Sequence, residues 1–492
     1  MAIVIVGLGP GDAGHLSREA WDILSSTELV FCRTTQHPSI SELPDGLEIR
    51  SFDYLYDSID DFDELYRQIA SVILKNATAD LDVVYAVPGH PLVGESTVEA
   101  ILTEARIQGV GVRIVPGISF IEPILTALNI DALDGLQVFD ALQIAGFAQP
   151  PINTDVPLLL GQVYNRLVAS ETKMTLMALY PDEHNVVLIH SAGTSEQSIE
   201  DLLLYEMDRS QQISHLTSLY VPAVSDPSSL QSFAETVAYL RSPDGCPWDQ
   251  EQTRQSLRKD FLEEVAEVLE ALDADSPDDI QEELGDVLYH VVMQAQIASE
   301  LGEFNLSDVV AGINGKLIRR HPHIWGDDVA TNTSDVVRKW EQIKALEKDV
   351  QSDRASLLDK VPSTLPALAR AQAIQSRVQS VGFDWPSIDG VVAKVEEELS
   401  ELRAEREPAR VSEELGDLFF ALVNWARWLD LQAESVLREA NSRFEHRFKI
   451  MEQKANSMKL NLAECDVSEL DDLWEEAKIS FNDQSSTSLP EA

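Results

Sequence analysis

Cysteine is scarce in this chain. Only three cysteines occur among 492 residues, Cys32, Cys246 and Cys465, and they lie far apart in the sequence. An odd number of widely separated cysteines argues against a disulfide framework and against a cysteine metal site. We therefore expect a protein of the reducing cytoplasm.

Basic residues are also few. Lys and Arg total 37 against 84 Asp and Glu, which gives a formal net charge of −47. Nucleic acid polymers are bound largely through clustered Lys and Arg, so a general nucleic-acid surface is not expected. An anionic substrate would need a metal ion or a local group of basic side chains. Composition does not distinguish this acidity from an adaptation to salt or for solubility.

Long hydrophobic runs are missing as well. No apolar segment approaches the length that crosses a membrane, and the start MAIVIVGLGPGD has too short an apolar run for a signal peptide. We interpret this start as a strand of a soluble protein. A length of 492 residues favours two to four domains.

The chain changes in character near residue 226. Over residues 1–225, helical segments alternate with five short apolar runs that end in Gly or Pro: AIVIVGLG, DVVYAVPG, VRIVPG, VPLLLGQ and NVVLIHSAG. This alternation predicts an α/β domain. Longer helical periodicities follow to about residue 475 and predict an all-α second half. We expect helical domains at 226–348 and, with a linker, at 349–483, and a disordered tail at 484–492.

The helical half contains an internal repeat that is rich in carboxylates. EEVAEVLEA and ELGDVLYHVV in the first copy correspond to EELSELRAE and ELGDLFFALV in the second. On a helix of about 100° per residue, each copy places its carboxylates in pairs along one flank of an apolar stripe. The pairs are Glu264 with Glu267, Glu283 with Asp286, Glu398 with Glu401, and Glu414 with Asp417.

Two pairs can converge on one site if their helices pack antiparallel through the stripes. Like charges about 4 Å apart repel by roughly 1 kcal/mol in water and by several times that near a protein surface. A divalent cation relieves this repulsion, and all-oxygen ligation suits Mg²⁺, which also accepts phosphate oxygens. A single ExxE or ExxD motif is more often a solvated helix face. The same geometry in both copies favours a metal site.

A basic helix follows each copy. Lys316 and Arg320 have the same spacing as Arg443 and Arg447. These side chains could neutralise phosphate charge, or they could pair with nearby Glu on the helix surface. Together with the carboxylates they predict a metal-dependent site for a phosphorylated small molecule, with water activated by the metal or by a glutamate. The spacing does not identify the phosphate bond that breaks.

These motifs resemble those of the MazG family of nucleoside triphosphate pyrophosphohydrolases. The resemblance rests on EExxE followed by ExxD, on DGCPWDQEQT, RRHPH and KWEQIK, and on the second copy, and it covers nearly all of residues 226–478. It implies all-α, dimer-forming domains that use Mg²⁺ to hydrolyse (d)NTPs to the monophosphate and diphosphate. Such an enzyme would clear aberrant or excess nucleotides.

The resemblance also assigns roles to individual residues. The metal ligands would be Glu264, Glu267, Glu283 and Asp286 in the first copy, and Glu398, Glu401, Glu414 and Asp417 in the second. The candidate catalytic residues among them are Glu264, Glu267, Glu398 and Glu401. Lys316, Arg320, Arg443 and Arg447 match triphosphate contacts. Both copies keep the full acidic set, so neither is singled out as the active one.

Three Gly/Pro turns follow strands in the first half: GLGPGD at 7–12, VPGHP at 87–91 and VPGIS at 115–119. Pro10 removes an amide that a dinucleotide-binding turn could use, so a pyrophosphate cradle is not favoured. As a set, the turns resemble those of the tetrapyrrole methylase superfamily over about residues 1–222. This resemblance implies S-adenosylmethionine bound between two α/β subdomains, in contact with Pro10, Gly89, His90, Val93, Ser119, Phe120 and Gly193.

His90 departs from the superfamily pattern, which commonly has an acidic residue at this point. No general base is evident in this half, and the methyl acceptor is not identified. Our leading hypothesis is a cytoplasmic, Mg²⁺-dependent pyrophosphohydrolase that follows a methylase-like domain. One rival is a methyltransferase with regulatory helical repeats. The other is a catalytically dead nucleotide-binding module, and the intact acidic pairs in both copies count against it.

Overall fold

The computed structural model describes residues 2–56, 58–59, 61–77, 82–349 and 356–487. Contacts between residues divide the chain into two compact units, Met1–Gln252 and Thr253–Ala492. None of the described helices is both long and apolar enough to span a lipid bilayer.

The first unit contains two five-stranded sheets. Its strands are β1 (Ala2–Gly7), β2 (Leu29–Cys32), β3 (Glu48–Ser51), β4 (Val83–Val87), β5 (Gly111–Val115), β6 (Gln137–Asp140), β7 (Leu158–Gly161), β8 (Asn185–His190), β9 (Ser198–Leu203) and β10 (Thr217–Val221). Its helices are α1 (Arg18–Ser26), α2 (Asp53–Tyr56), α3 (Phe62–Asn76), α4 (Ser96–Gln108), α5 (Ile121–Leu128), α6 (Ala141–Ile144), α7 (Arg166–Leu176), α8 (Leu230–Arg241) and α9 (Pro247–Glu251). The five apolar runs predicted as strands form β1, β4, β5, β7 and β8, which confirms the α/β prediction.

The first sheet is parallel, with strand order β3-β2-β4-β1-β5. β1 is buried on both faces, because Ile3 and Ile5 pack into one apolar cluster while Val4 and Val6 pack into another. A strand covered on both sides is apolar at successive positions rather than at alternate ones. This is why the run IVIV of β1 stands out in the sequence.

The second sheet is mixed, with strand order β6-β7-β10-β8-β9. β6 pairs with β7 in parallel, and the remaining neighbours are antiparallel. Leu158, Leu160, Leu188 and Leu219 from three of these strands share one buried cluster. The two sheets therefore have separate apolar cores.

The second unit is built from ten α-helices within residues 253–349 and 356–487, the part of it that the structure describes. They are α10 (Arg258–Ala274), α11 (Pro277–Glu300), α12 (Leu306–Arg320), α13 (Pro322–Trp325), α14 (Thr333–Asp349), α15 (Ala367–Gln379), α16 (Ile388–Ala404), α17 (Pro408–Trp428), α18 (Ala433–Met458) and α19 (Val467–Thr487). This confirms the all-α prediction. α19 passes position 484, where the tail was predicted to begin, and residues 488–492 lie outside the described residues.

Residues at the helix ends determine the turns between α10 and α11 and between α16 and α17. Asp275 adopts a left-handed conformation with φ of 50° and ends α10, and Pro277 then begins α11. A left-handed residue is a common helix stop, and proline is favoured in the first turn because its missing N–H has no partner there anyway. Pro408 begins α17 in the same way. Each copy of the repeat thus forms a helical hairpin, α10 with α11 and α16 with α17.

The apolar stripes of these hairpins are only partly buried. In the first hairpin, the side chains of Leu262, Leu272 and Leu284 are 64%, 53% and 52% exposed. In the second, Phe419 is 53% exposed. Large apolar side chains remain on the surface of the helical unit.

Candidate functional site

The first hairpin gathers three of its predicted carboxylates. One oxygen each of Glu264 and Glu267 on α10 and of Glu283 on α11 lie within 4.8 Å of one another. The i, i+3 spacing places Glu264 and Glu267 on one flank, and the antiparallel return of α11 brings Glu283 beside them. Asp286 lies close enough for its charge to raise the pKa of Glu264. These four residues form what we call the first cluster.

The carboxylates of the first cluster repel one another. Burial, then the charges of Asp286 and Glu267, raises the pKa of Glu264. Burial, then the charge of Glu267, raises the pKa of Glu283. The Oε2 atom of Glu283 is buried and has no hydrogen-bond partner among the described residues. Such an arrangement of carboxylates needs a cation or shared protons to be stable.

The second hairpin gathers the equivalent carboxylates. One oxygen each of Glu398 and Glu401 on α16 and of Glu414 on α17 lie within 4.8 Å of one another. Burial, then the charges of Glu401, Glu398 and Asp417, raises the pKa of Glu414. These four residues form the second cluster. Internal repetition in the sequence thus corresponds to repetition in space.

A lysine distinguishes the second cluster. Lys394 lies one helical turn before Glu398 and its Nζ is 2.7 Å from the Glu398 carboxylate. Glu398 is buried at 5% exposure, and Lys394 also contacts Glu397 at 3.0 Å. These hydrogen bonds and charges raise the pKa of Lys394, so the ammonium form is held at neutral pH. The sequence analysis did not single out this lysine, although a Lys four residues before a Glu is a recognisable helix pair.

The four predicted basic residues lie on α12 and α18, outside the two hairpins. Arg320 on α12 donates to Glu347 of α14 at 2.7 Å and lies over the Trp340 ring, and Lys316 is exposed. On α18, Arg443 contacts Glu439 at 3.6 Å and Arg447 lies over the Phe481 ring. Within the described part of the chain, none of the four forms an ion pair with a cluster carboxylate. Their predicted role as phosphate contacts stays a prediction.

The three Gly/Pro turns of the first unit meet at one place. Gly9 and Gly89, with φ of 77° and 63°, exchange backbone hydrogen bonds of 2.7 and 3.3 Å. A Cβ on Gly7 would lie 2.6 Å from both the Gly117 nitrogen and the Gly89 oxygen. Glycine is needed here because the three backbones approach closer than any side chain allows. The turns line up because they all follow strands of one parallel sheet.

A cavity of about 870 Å³ opens beside these turns. Five of the seven predicted cofactor contacts line it: Pro10, Gly89, His90, Val93 and Phe120. Ser119 is buried beside Phe120 and donates its hydroxyl to Glu122 at 2.6 Å. Gly193 is not a lining residue, although its neighbour Ala192 is. The structure therefore brings most of the predicted set to one cavity.

The cavity also contains an ion pair that the sequence analysis missed. Arg33 Nη1 is 2.5 Å from Glu95 Oε1, and Arg33 Nε donates to the Tyr56 hydroxyl at 2.9 Å. Burial, opposed by the charge of Arg33, raises the pKa of Glu95. Arg33 and Glu95 are separated by 62 positions in the chain. The only local signal for this pair was an arginine directly after the apolar strand β2.

Comparisons with known proteins match both units. The family of Tetrapyrrole (Corrin/Porphyrin) Methylases matches residues 2–208, and the MazG nucleotide pyrophosphohydrolase domain matches residues 252–325. The chain is 38% identical over 485 residues to the uncharacterized protein YabN of Bacillus subtilis, which covers 97% of this chain and 98% of that protein.

Two further relatives match about half of the chain. One is the nucleoside triphosphate pyrophosphohydrolase/pyrophosphatase MazG of Thermotoga maritima, 45% identical over 49% of this chain and 91% of that protein. The other is the nucleoside triphosphate pyrophosphohydrolase of Escherichia coli K12, 44% identical over 49% of this chain and 93% of that protein.

Proposed function

The chain belongs to the MazG family of nucleoside triphosphate pyrophosphohydrolases, and we propose that its helical unit hydrolyses (d)NTPs to the monophosphate and diphosphate. The observation that carries this proposal is the convergence of Glu264, Glu267 and Glu283 within 4.8 Å, repeated by Glu398, Glu401 and Glu414. A soluble enzyme of this kind would remove aberrant or excess nucleotides. The net charge of −47 supports a small anionic substrate held through a cation rather than a nucleic acid polymer.

Both clusters fit a hard divalent cation. The donors are all carboxylate oxygens, which Mg²⁺ prefers, and the unpartnered Oε2 of Glu283 is an orphaned ligand atom. Glu264, Glu267, Glu283 and Asp286 would hold one ion, and Glu398, Glu401, Glu414 and Asp417 would hold another. Magnesium bound there would stabilise the negative charge that develops on the phosphate oxygens.

The glutamates of each cluster would also move a proton. Glu264 and Glu267, or Glu398 and Glu401, would orient the attacking water and accept its proton. The water oxygen forms a bond to one of the two phosphorus atoms, the bond from that phosphorus to the bridging oxygen between the α- and β-phosphates breaks, and the monophosphate and diphosphate separate. Lys316, Arg320, Arg443 and Arg447 are the proposed contacts of the triphosphate.

Product analysis tests this proposal. The full chain is incubated with a panel of NTPs and dNTPs and with Mg²⁺, and the products are separated by ion exchange. We expect monophosphate and diphosphate, and no reaction from the double variant Glu267→Ala and Glu401→Ala. The matched control is Glu270→Ala with Glu396→Ala, two exposed glutamates of the same helices. Release of orthophosphate and NDP would refute the proposal.

A second activity is favoured by the cavity of the first unit. We propose that it binds S-adenosylmethionine beside Pro10, Gly89, His90, Val93 and Phe120, with Ser119 and Gly193 completing the contacts. All three Gly/Pro turns reach the cavity, which supports this proposal, because Pro10 and Gly89 lie in the first two turns and Phe120 directly follows the third. Calorimetric titration of the full chain with S-adenosylmethionine tests the site. The proposal fails if no binding is detected at millimolar cofactor.

The exposed apolar stripes favour self-association. Leu262, Leu284 and Leu288 are 64%, 52% and 42% exposed on the first hairpin, and an apolar surface of this kind commonly forms an interface. We propose a cytoplasmic homodimer that forms through the helical unit. Sedimentation should show a dimer that Leu284→Glu dissociates. Leu133→Glu, at a site 94% exposed in the first unit, should leave it intact; equal behaviour of the two variants would contradict this interface.

A further inference from the structure

A buried histidine lies beside the first cluster. His290 on α11 is 4% exposed, and its Nδ1 atom has no hydrogen-bond partner among the residues that the structure describes. A buried polar atom of this kind lowers the stability of the folded protein, because its hydrogen bond to water is lost and is not replaced. Packing alone would be served by an apolar side chain. The histidine therefore calls for an explanation other than packing.

The imidazole lies on the face of α11 that carries the carboxylates. The seven positions from Glu283 to His290 make up almost two full helical turns, and His290 lies one turn beyond Asp286. On α10, the Phe261 ring lies 5.5 Å from the imidazole, measured between ring centroids, and Phe261 is one turn before Glu264. His290 thus occupies the layer of the hairpin next to the one that holds Glu264 and Asp286.

Electrostatics links this imidazole to one carboxylate in particular. The charge of His290 opposes the rise in the pKa of Glu264, which burial and then the charges of Asp286 and Glu267 cause. The neutral and the charged imidazole both carry an N–H, so either form can donate a hydrogen bond to a carboxylate. Carboxylates that bind a metal are commonly held in orientation by a hydrogen bond from an outer group. His290 is suited to hold Glu264 in this way.

The second hairpin has no polar side chain at the same position. Ala421 stands where the first hairpin has His290, and it is 8% exposed. A methyl group offers no hydrogen bond to Glu398, which the Nζ atom of Lys394 contacts instead at 2.7 Å. The two copies therefore support their proposed metal ligands with different side chains.

We propose that His290 is a positioning residue of the first cluster, and that a hydrogen bond from its imidazole N–H orients the Glu264 carboxylate toward a bound divalent cation. The inference rests on the proposed function, because it takes the first cluster to be a metal site of the hydrolase. It goes further by distinguishing the two copies. Metal binding depends on a histidine in the first copy and does not in the second.

Metal binding to one cluster at a time tests this role in the full chain. Glu401→Ala disables the second cluster, and the paramagnetic ion Mn²⁺, which suits the same oxygen ligands as Mg²⁺, reports on the first. In this background, His290→Leu should weaken Mn²⁺ binding about tenfold, as expected when an outer partner of a metal ligand is lost. His290→Gln keeps an N–H donor and should restore most of the affinity. Electron paramagnetic resonance of free Mn²⁺ measures the binding.

Two controls separate positioning from a structural effect. In a Glu267→Ala background, which disables the first cluster, His290→Leu should leave Mn²⁺ binding by the second cluster unchanged. In EDTA, the Tm of the His290→Leu variant should equal or exceed that of the unmodified chain, because the variant removes a buried nitrogen that has no partner in the described part of the chain. A lower Tm together with equally weakened binding at both clusters would mean a structural role and would overturn the proposal.

The remaining outcomes separate this inference from the proposed function. If His290→Leu binds Mn²⁺ as tightly as its Glu401→Ala parent, the positioning role is refuted and the metal site stands. If His290→Gln binds as weakly as His290→Leu, the hydrogen bond is refuted. If the parent itself binds no Mn²⁺, this inference and the proposed role of the first cluster both fail. If the dependence on His290 holds but product analysis yields orthophosphate and NDP, the proposed reaction fails and the positioning role stands.

Discussion

The first and second clusters use the same helix positions but differ in the residue one turn earlier. Asp260 precedes Glu264 by four residues, whereas Lys394 precedes Glu398 by four. The aspartate adds to the repulsion that raises the pKa of Glu264. The lysine instead neutralises Glu398 at 2.7 Å. Two copies of one motif therefore present different charges to a cation.

A second difference lies on the helix that faces the carboxylates. His290 follows Glu283 by seven residues and is buried at 4% exposure, with its Nδ1 lacking a hydrogen-bond partner among the described residues. Ala421 has the equivalent place after Glu414. His290 lies near enough to oppose the rise in the pKa of Glu264. The first cluster thus has a titratable neighbour, and the second has a fixed ammonium ion.

The largest effect should come from disabling one cluster at a time. Because no lysine competes with a cation in the first cluster, Glu267→Ala should lower kcat/KM about tenfold, a loss of about 1.4 kcal/mol. Glu401→Ala should have a smaller effect. Steady-state assays of diphosphate release with both variants measure how much each cluster contributes to the activity. A larger loss from Glu401→Ala would reverse our ranking of the clusters.

The basic residues that follow the two copies should differ less than the clusters do in their effect on catalysis. Arg320 is held by Glu347 at 2.7 Å, while the Nε of Arg447 is buried without a partner among the described residues. Arg447 is thus the freer anion contact, and Arg447→Ala should raise KM for NTP by about fivefold, near 1 kcal/mol, the size of a typical hydrogen bond. Lys449→Ala, an exposed cation on the same helix, is the control. An unchanged KM in the Arg447 variant would exclude this contact.

Removing the lysine should make the clusters more alike. In a Glu267→Ala background, Lys394→Met should increase the affinity of the second cluster for Mn²⁺ by about fivefold. The lysine side chain of this pair is 36% exposed, and such an ion pair is worth roughly 1 kcal/mol or less. Calorimetric titration measures the change. Lys259→Met is the control, because Lys259 pairs with Glu263 at 2.9 Å outside the clusters. Weaker binding after Lys394→Met would mean that the lysine organises the site.

The smallest effect concerns pH. The raised pKa values of Glu264 and Glu283 mean that the folded state binds more protons than the unfolded state between the ordinary and the raised pKa. Their stabilising contribution is therefore present at low pH and is lost as pH rises through this window. In EDTA, the difference between the Tm of the Glu283→Gln variant and the Tm of the unmodified chain should shift in favour of the variant by a few degrees as pH rises. A pH-independent difference would contradict the assignment.

Much of the candidate site could be predicted from local spacing. Helical periodicity placed Glu264 and Glu267 on one flank, and the structure confirms that they adjoin, because a helix fixes the relative position of residues three apart. The approach of Glu283 depended on an antiparallel return, which the short connection at Asp275 supplies. Burial was harder to predict. The sequence cannot tell a stripe that packs inside one chain from one that stays exposed, such as that of Leu262 and Leu284.

The sequence by itself determined the α/β and all-α halves, the repeat and the carboxylate flanks, since each depends on contacts between residues near in the chain. Only the tertiary structure decided which distant groups meet. Arg33 reaches Glu95 across 62 positions, and Gly7, Gly89 and Gly117 converge because parallel strands end at one edge. Hydrogen bonds and charge pairs of this kind leave no periodic signal in the sequence, because the folded sheet, rather than the local chain, brings the partners together.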